Sequence, residues 1–138
     1  MKKNFLCNVE EVSLDVRGDS RGKLVVFEKG NKNIPFDVKR VFFIYGTQGN
    51  EARGHHAHYM TRQLLVATSG SVVVNCEWEN KKKSFILDSP DKGLLIDGMV
   101  WHTMDKFSSD CVLMVIADTY YDEADYIRNY DDFLKERK

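Results

Sequence analysis

Neither sign of charge dominates these 138 residues: 20 lysines and arginines face 21 acidic residues, for a formal net charge of -1. That balance excludes the broad basic surface of a nucleic-acid or anionic-membrane binder. No apolar run is long enough to span a bilayer. The start, Met1-Lys2-Lys3-Asn4-Phe5-Leu6-Cys7, resembles a secretory leader but breaks at once into Asn8-Val9-Glu10-Glu11, far too short for a signal-peptide core. The three cysteines, Cys7, Cys76 and Cys111, are odd in number, widely spaced and without a CxxC pair. Neither a disulfide framework nor a thiolate zinc site is favoured, and Cys76 and Cys111 read as small buried hydrophobes. The expectation is a cytoplasmic protein with reduced thiols. Repeats, linkers and low-complexity segments are also missing, so a single domain over residues 1–138 is expected, large enough to bury its own core.

What is present is strand after strand. Leu24-Val25-Val26-Phe27, Val38 to Tyr45, Gln63 to Thr68, Ser71 to Trp78, Phe85-Ile86-Leu87, Gly93 to Ile96 and Cys111 to Ala117 are short apolar or alternating runs. Turn residues separate them, among them Gly30-Asn31-Lys32-Asn33, Gly46-Thr47-Gln48-Gly49-Asn50 and Ser69-Gly70. Val72, Val74, Cys76 and Trp78 share one face at period two. Lys81-Lys82-Lys83, after Glu79-Asn80, reads as a solvated hairpin turn. Such a series points to an antiparallel sandwich or small barrel. At the tail the period changes: Tyr126, Ile127, Tyr130, Phe133 and Leu134 form a helical stripe, with Asp125, Arg128, Asp131, Asp132 and Lys135 on the other face. This helix is expected to pack on the outside of the sheet or on a second subunit.

Three of the four histidines fall in Arg53-Gly54-His55-His56-Ala57-His58. On a strand His56 and His58 project to one face and His55 to the other. Gln63 follows His58 after four residues, Gly70 follows after six more, and His102 lies in Gly98-Met99-Val100-Trp101-His102. This HxH-x4-Q-x6-G spacing with a distant histidine resembles the two motifs of the cupin superfamily, small antiparallel barrels whose motif side chains converge at the barrel mouth. Metal-binding cupins usually carry glutamate where this chain has Gln63, a weaker ligand. Met99 stands where a glycine would be expected.

Further segments narrow the resemblance. Asn33 to Val41, Arg53 to His58, Val100-Trp101-His102-Thr103-Met104, Phe107-Ser108-Ser109-Asp110-Cys111 and Tyr120 to Arg128 together resemble the dTDP-sugar 3,4-ketoisomerases, from about Ser20 to the C-terminus. The resemblance implies an all-β, cupin-type antiparallel barrel (jelly roll) with a short C-terminal helix. It implies a homodimer that needs no metal or organic cofactor. It implies isomerisation of a dTDP-linked 4-keto-6-deoxyhexose, dTDP-4-dehydro-6-deoxy-D-glucose, to a dTDP-3-dehydro-6-deoxyhexose for deoxyamino sugars of surface polysaccharide. In that reading His56 matches the catalytic base and His58 a second active-site histidine acting as acid or oxyanion donor. Arg21 and His102 match positions facing the sugar, and their identities resemble the galacto-forming branch.

An imidazole suits such proton transfer because its ordinary pKa of ~6.5 lies near neutrality. For the diphosphate, arginine forks are the natural donors, and Arg53, Arg62 and Arg40 are the candidates, Arg53 foremost. Gln63 completes the substrate-binding set. Trp101 or Tyr120-Tyr121 could stack on thymine or serve packing, and Met60, Met99 and Met104 read as gap-filling. The chain departs from the family pattern at Phe42, where a tyrosine is common, at Tyr59-Met60-Thr61-Arg62, where a lysine and a polar run are common, and at His55, where an aromatic ring is. Other readings stay open: a metal-dependent cupin using His56, His58 and His102 with Gln63 as a weak fourth ligand, a non-catalytic nucleotide-sugar-binding cupin, or an epimerase on the same substrate.

Overall fold

Alternation of buried and solvated side chains sets the architecture of this chain, as seen in a computed structural model that describes residues 8–48 and 51–137. Cys7 with the other opening residues, and Gly49 and Asn50 of the turn after Tyr45, lie outside the described residues. Twelve strands are described: β1 (Val9–Ser13), β2 (Val16–Asp19), β3 (Gly22–Val25), β4 (Arg40–Ile44), β5 (Arg53–His58), β6 (Gln63–Ser69), β7 (Val72–Trp78), β8 (Lys81–Leu87), β9 (Lys92–Ile96), β10 (Trp101–Asp105), β11 (Val112–Ala117) and β12 (Tyr126–Ile127). One helix, α1 (Tyr130–Glu136), follows them. One sheet has the order β1-β9-β6-β11-β4 and the other β12-β5-β10-β7-β8, with β2-β3 as a separate hairpin. Every pairing is antiparallel.

In β7, Val72, Val74, Cys76 and Trp78 are buried and the residues between them are half-exposed, as period two requires. They meet Leu65, Ala67, Leu94, Ile96, Leu113 and Val115 of the opposite sheet in the main core. Each of the valines, leucines and Ile96 among them contributes about 1.5–3 kcal/mol by leaving water. A second cluster, Leu14, Ile34, Leu64, Val66, Leu95 and Ile116, lies on the outer side of the first sheet, where Val25, Phe27 and Phe36 pack against it. Cys76 and Cys111 are both buried thiols, and burial pushes the Cys76 thiol up to about 12.

Two sequence expectations need correction. The three lysines do not form the turn: Glu79-Asn80 turns, and Lys81, Lys82 and Lys83 open strand β8, paired with Trp78, Glu77 and Cys76. Exposed charge on an edge strand discourages pairing with another chain. The helical stripe also begins later than its period implies. Tyr126 and Ile127 pair with His58 and Ala57 along the open edge of β5, and the helix starts only after Asn129. That residue is extended and its side chain accepts a hydrogen bond from the Asp132 N–H, the chemistry of an N-cap. Phe133, fully buried, packs with Ala57 and Ile127. The helix therefore covers its own sheet. No helix among the described residues is long and apolar enough to cross a membrane.

Candidate active site

His56 and His102 are partners across β5 and β10, and their ring centroids are 4.7 Å apart. His58 lies 5.1 Å from His56 and 6.3 Å from His102. Tyr126 of β12 closes the group, 4.3 Å from His58 and 5.1 Å from His56. His58 and His102 are 3% and 2% exposed, while His56 is half-buried.

A bulge makes this geometry. Gly54 pairs with Thr103 and His56 with His102, leaving His55 as the extra residue. Gly54 and His55 have φ of 92° and 55°, in the left-handed region. At Gly54 a Cβ would stand 2.9 Å from the His102 carbonyl oxygen, so glycine is required there on two counts. His55 is turned to solvent. The same bulge puts Arg53, opposite the inward-facing Met104, on the face that carries His56. Met99 has φ of 62°, the conformation for which a glycine was expected; its N–H bonds the His58 carbonyl at 2.7 Å.

Each of the three rings is held through Nδ1. His56 Nδ1 donates to the Gly54 carbonyl at 3.0 Å and His102 Nδ1 to the Val100 carbonyl at 3.1 Å. His58 Nδ1 donates instead to a carboxylate, Asp125 Oδ2, at 3.1 Å. Carbonyls and ionised carboxylates only accept, so in the neutral rings Nε2 is the lone-pair nitrogen. Burial, and then the neighbouring His58, press His56 down to about 4 against the pull of the Gly54 bond. Burial, with His56 and His58, lowers His102 to about 3. Both imidazoles are thus neutral near pH 7. No three His, Cys, Asp or Glu side chains among the described residues are disposed to hold a metal ion.

One wall comes from the 3-10 turn Glu123–Asp125 and β12. Arg128 bonds Glu123 at 2.6 and 3.0 Å and stacks on Tyr126 at 4.3 Å. Tyr121 donates to Glu123 at 2.6 Å and lies 5.7 Å from the Tyr126 ring. Arg40 stacks at 5.7 Å over both Tyr121 and Phe42, and its buried Nε has no hydrogen-bond partner among the described residues. Periodicity had placed Asp125 and Arg128 on a solvated helix face; only the resemblance of the Tyr120–Arg128 segment marked them.

A sequence model of the FdtA family, described as WxcM-like, C-terminal, matches residues 7–138. This chain belongs to that family. Over 117 residues it is 54% identical to the TDP-4-oxo-6-deoxy-alpha-D-glucose-3,4-oxoisomerase of Aneurinibacillus thermoaerophilus, covering 85% of this chain and 84% of the relative. Among solved structures, the WlaRB TDP-quinovose 3,4-ketoisomerase of Campylobacter jejuni is 40% identical with a TM-score of 0.88, over 94% of this chain and 98% of the other. The WlaRA TDP-fucose-3,4-ketoisomerase of the same organism is 34% identical with a TM-score of 0.90, over 95% and 96%. The FdtA-family chain is an isomerase of the 3,4-ketoisomerase kind, and its two antiparallel sheets with a short C-terminal helix are the cupin-type fold expected.

The expected site residues of this FdtA-family chain divide in two. His56, His58 and His102 come together. Gln63, 3% exposed, pairs with Ala117, which in turn pairs with Arg40, so the two share one row across the first sheet. Arg62 is tied to Asp97 at 2.9 Å. Arg21 stands exposed on the β2-β3 turn, where its guanidinium bonds the Asp19 carboxylate at 2.6 Å, and among the described residues no contact joins it to the histidines.

Proposed function

We propose that this FdtA-family chain converts dTDP-4-dehydro-6-deoxy-D-glucose to dTDP-3-dehydro-6-deoxyhexose, with His56 and His58 moving the protons. The observation that carries this reading is the meeting of His56, His58 and His102, each pinned at Nδ1 so that Nε2 is a base nitrogen. A C4 ketone acidifies the C3 hydrogen. His56 removes that proton to give an enediolate, C4 receives a proton, and the hydroxyl proton passes from the C3 oxygen to the C4 oxygen, leaving the carbonyl at C3. No electrons enter or leave, so acid-base groups and oxyanion stabilisation suffice. His58 serves as acid or oxyanion donor once its Nε2 has taken up a proton, Arg53 and Arg40 as partners of the diphosphate, and Gln63 and His102 as contacts to the sugar.

The product is the galacto sugar in this proposal. Fucose- and quinovose-type ketoisomerases are both among structures this similar, so individual side chains at the site decide which face of C4 takes the proton. Arg21 and His102 carry the galacto resemblance, Arg21 without a contact to the site in this chain. Proton NMR of the product tests it: a small H4–H5 coupling is expected, and a large axial coupling contradicts the assignment.

The homodimer belongs to the same proposal. Its support moves from the tail, whose Phe133 is buried within the chain, to edge strand β4, where Val41, Phe43 and neighbouring Tyr45 are 54%, 61% and 70% exposed. An apolar face of that kind fits a second copy. Sedimentation velocity is expected to give a dimer, and a monomer at micromolar concentration overturns this part.

A further inference from the structure

We infer that Asp125 is the positioning residue of the site, fixing His58 in the Nδ1–H tautomer so that its Nε2 lone pair is available to the substrate. The inference rests on the proposed histidine chemistry and adds to it a residue outside the two cupin motifs.

Asp125 is held from every side. Its Oδ1 accepts the Met60 N–H at 2.8 Å, and its Oδ2 accepts the Thr61 N–H at 3.3 Å, the Thr61 hydroxyl and His58 Nδ1 at 3.1 Å. The Thr61 hydroxyl, itself buried, also meets that of Thr119 at 2.7 Å. The Asp125 carbonyl accepts the Tyr59 N–H at 2.9 Å, and β12 clamps the next residue, Tyr126, against His58. Burial alone would raise the Asp125 carboxyl, but the bonds from His58, Thr61 and Met60 outweigh it and keep the group below its ordinary range. An ionised carboxylate has no proton to give. Every one of those contacts therefore has to be a donor, and His58 has to carry its proton on Nδ1.

At the other end of the ring, His58 Nε2 is buried and has no hydrogen-bond partner among the described residues. A buried nitrogen left unpaired is unfavourable unless something binds there. The carboxylate also distinguishes His58 from its neighbours. His56 and His102 lean on neutral carbonyls, whereas His58 has a counter-ion for the charge it acquires when Nε2 takes up a proton. His58 is thus the ring of the three equipped to hold a proton in transit between the C3 and C4 oxygens, and Asp125 acts through it without touching the sugar.

The test is Asp125→Asn, read by two measurements. An asparagine offers one acceptor where the carboxylate offered two, and its NH2 group must face either Met60 or Thr61 and His58 together; in the first case His58 keeps only a neutral amide oxygen in place of the carboxylate, and in the second it meets an N–H. Nitrogen-15 NMR of the imidazoles, with His58→Gln to assign the His58 signals, is expected to find Nδ1–H in the wild-type protein and loss of that single tautomer in Asp125→Asn. Turnover is expected to drop about 10²-fold or more, with KM changed less than threefold and circular dichroism unaltered. Thr119→Val, which loosens the hydroxyl pair and keeps the carboxylate, should retain both tautomer and turnover. An Nε2–H tautomer in wild type overturns the inference even if Asp125→Asn does not fold. So does a folded Asp125→Asn with its tautomer kept or its turnover within threefold of wild type. Failure of the wild type to convert the dTDP sugar strikes the proposed function instead, and the tautomer measurement still decides the role of Asp125.

Discussion

Replacing His56 with asparagine is expected to lower turnover of the proposed substrate, dTDP-4-dehydro-6-deoxy-D-glucose, by about 10²- to 10⁴-fold, the usual effect of losing a placed general base. Asparagine can still reach the Gly54 carbonyl, so the bulge keeps its partner, but it has no basic nitrogen to offer. The wild-type imidazole is in its base form at neutral pH, because burial and the neighbouring His58 press it down to about 4. Its orientation is set by the Gly54 carbonyl at 3.0 Å. Steady-state rates of the purified variant, with circular dichroism to establish folding, make the comparison. Near-normal turnover in a folded His56→Asn protein removes His56 from the role of base.

The same two depressed histidines make the fold lose stability in mild acid. In the unfolded chain an imidazole titrates near 6.5, whereas in the folded protein His56 titrates at about 4 and His102 at about 3. Above pH 6.5 both states are neutral at these rings and neither group contributes. Below it the unfolded chain binds protons that the folded one refuses, and each histidine removes about 1.4 kcal/mol of stability per pH unit. The loss stops for His56 near pH 4 and for His102 near pH 3. Asp125 adds in the same direction at lower pH, since its depressed carboxyl stabilises the fold above the ordinary carboxylate range and ceases to as it protonates. Melting temperatures measured from pH 7.5 to 4 should fall steeply below pH 6.5, and less steeply in His102→Asn. A flat profile from pH 7 to 4.5 contradicts the burial of these rings.

The sheets were legible because their signal is local. The alternation of Val72, Val74, Cys76 and Trp78 needs only the pleat to predict its burial, and these residues are buried. β1 escaped because Glu10 and Glu11 interrupt its apolar residues, which an edge strand paired on one side tolerates. β12 escaped because Tyr126 and Ile127 also fit a helical stripe; the open edge of β5 and the Asn129 cap decided otherwise, and both are tertiary or capping effects that period alone does not carry. In the site, parity alone separated His55 from His56 and His58. The bulge behind it depends on the close approach of Gly54 to the His102 carbonyl, a contact between residues 48 positions apart in sequence. Asp125 is further still from His58 along the chain, 67 residues, and on a helical wheel it reads as one more solvated acid. Its partnership with His58 exists only once β12 has paired with β5.

Conversion of dTDP-4-dehydro-6-deoxy-D-glucose in deuterated water, followed by NMR, tests the central claim most directly. Acid-base isomerisation predicts that the carbonyl moves from C4 to C3 and that deuterium appears at C4 of the product. Exchange at C3 and C5 with the carbonyl still at C4 would mean epimerisation, and saturable binding of dTDP with no change in the sugar would mean a binding protein; either result contradicts the account.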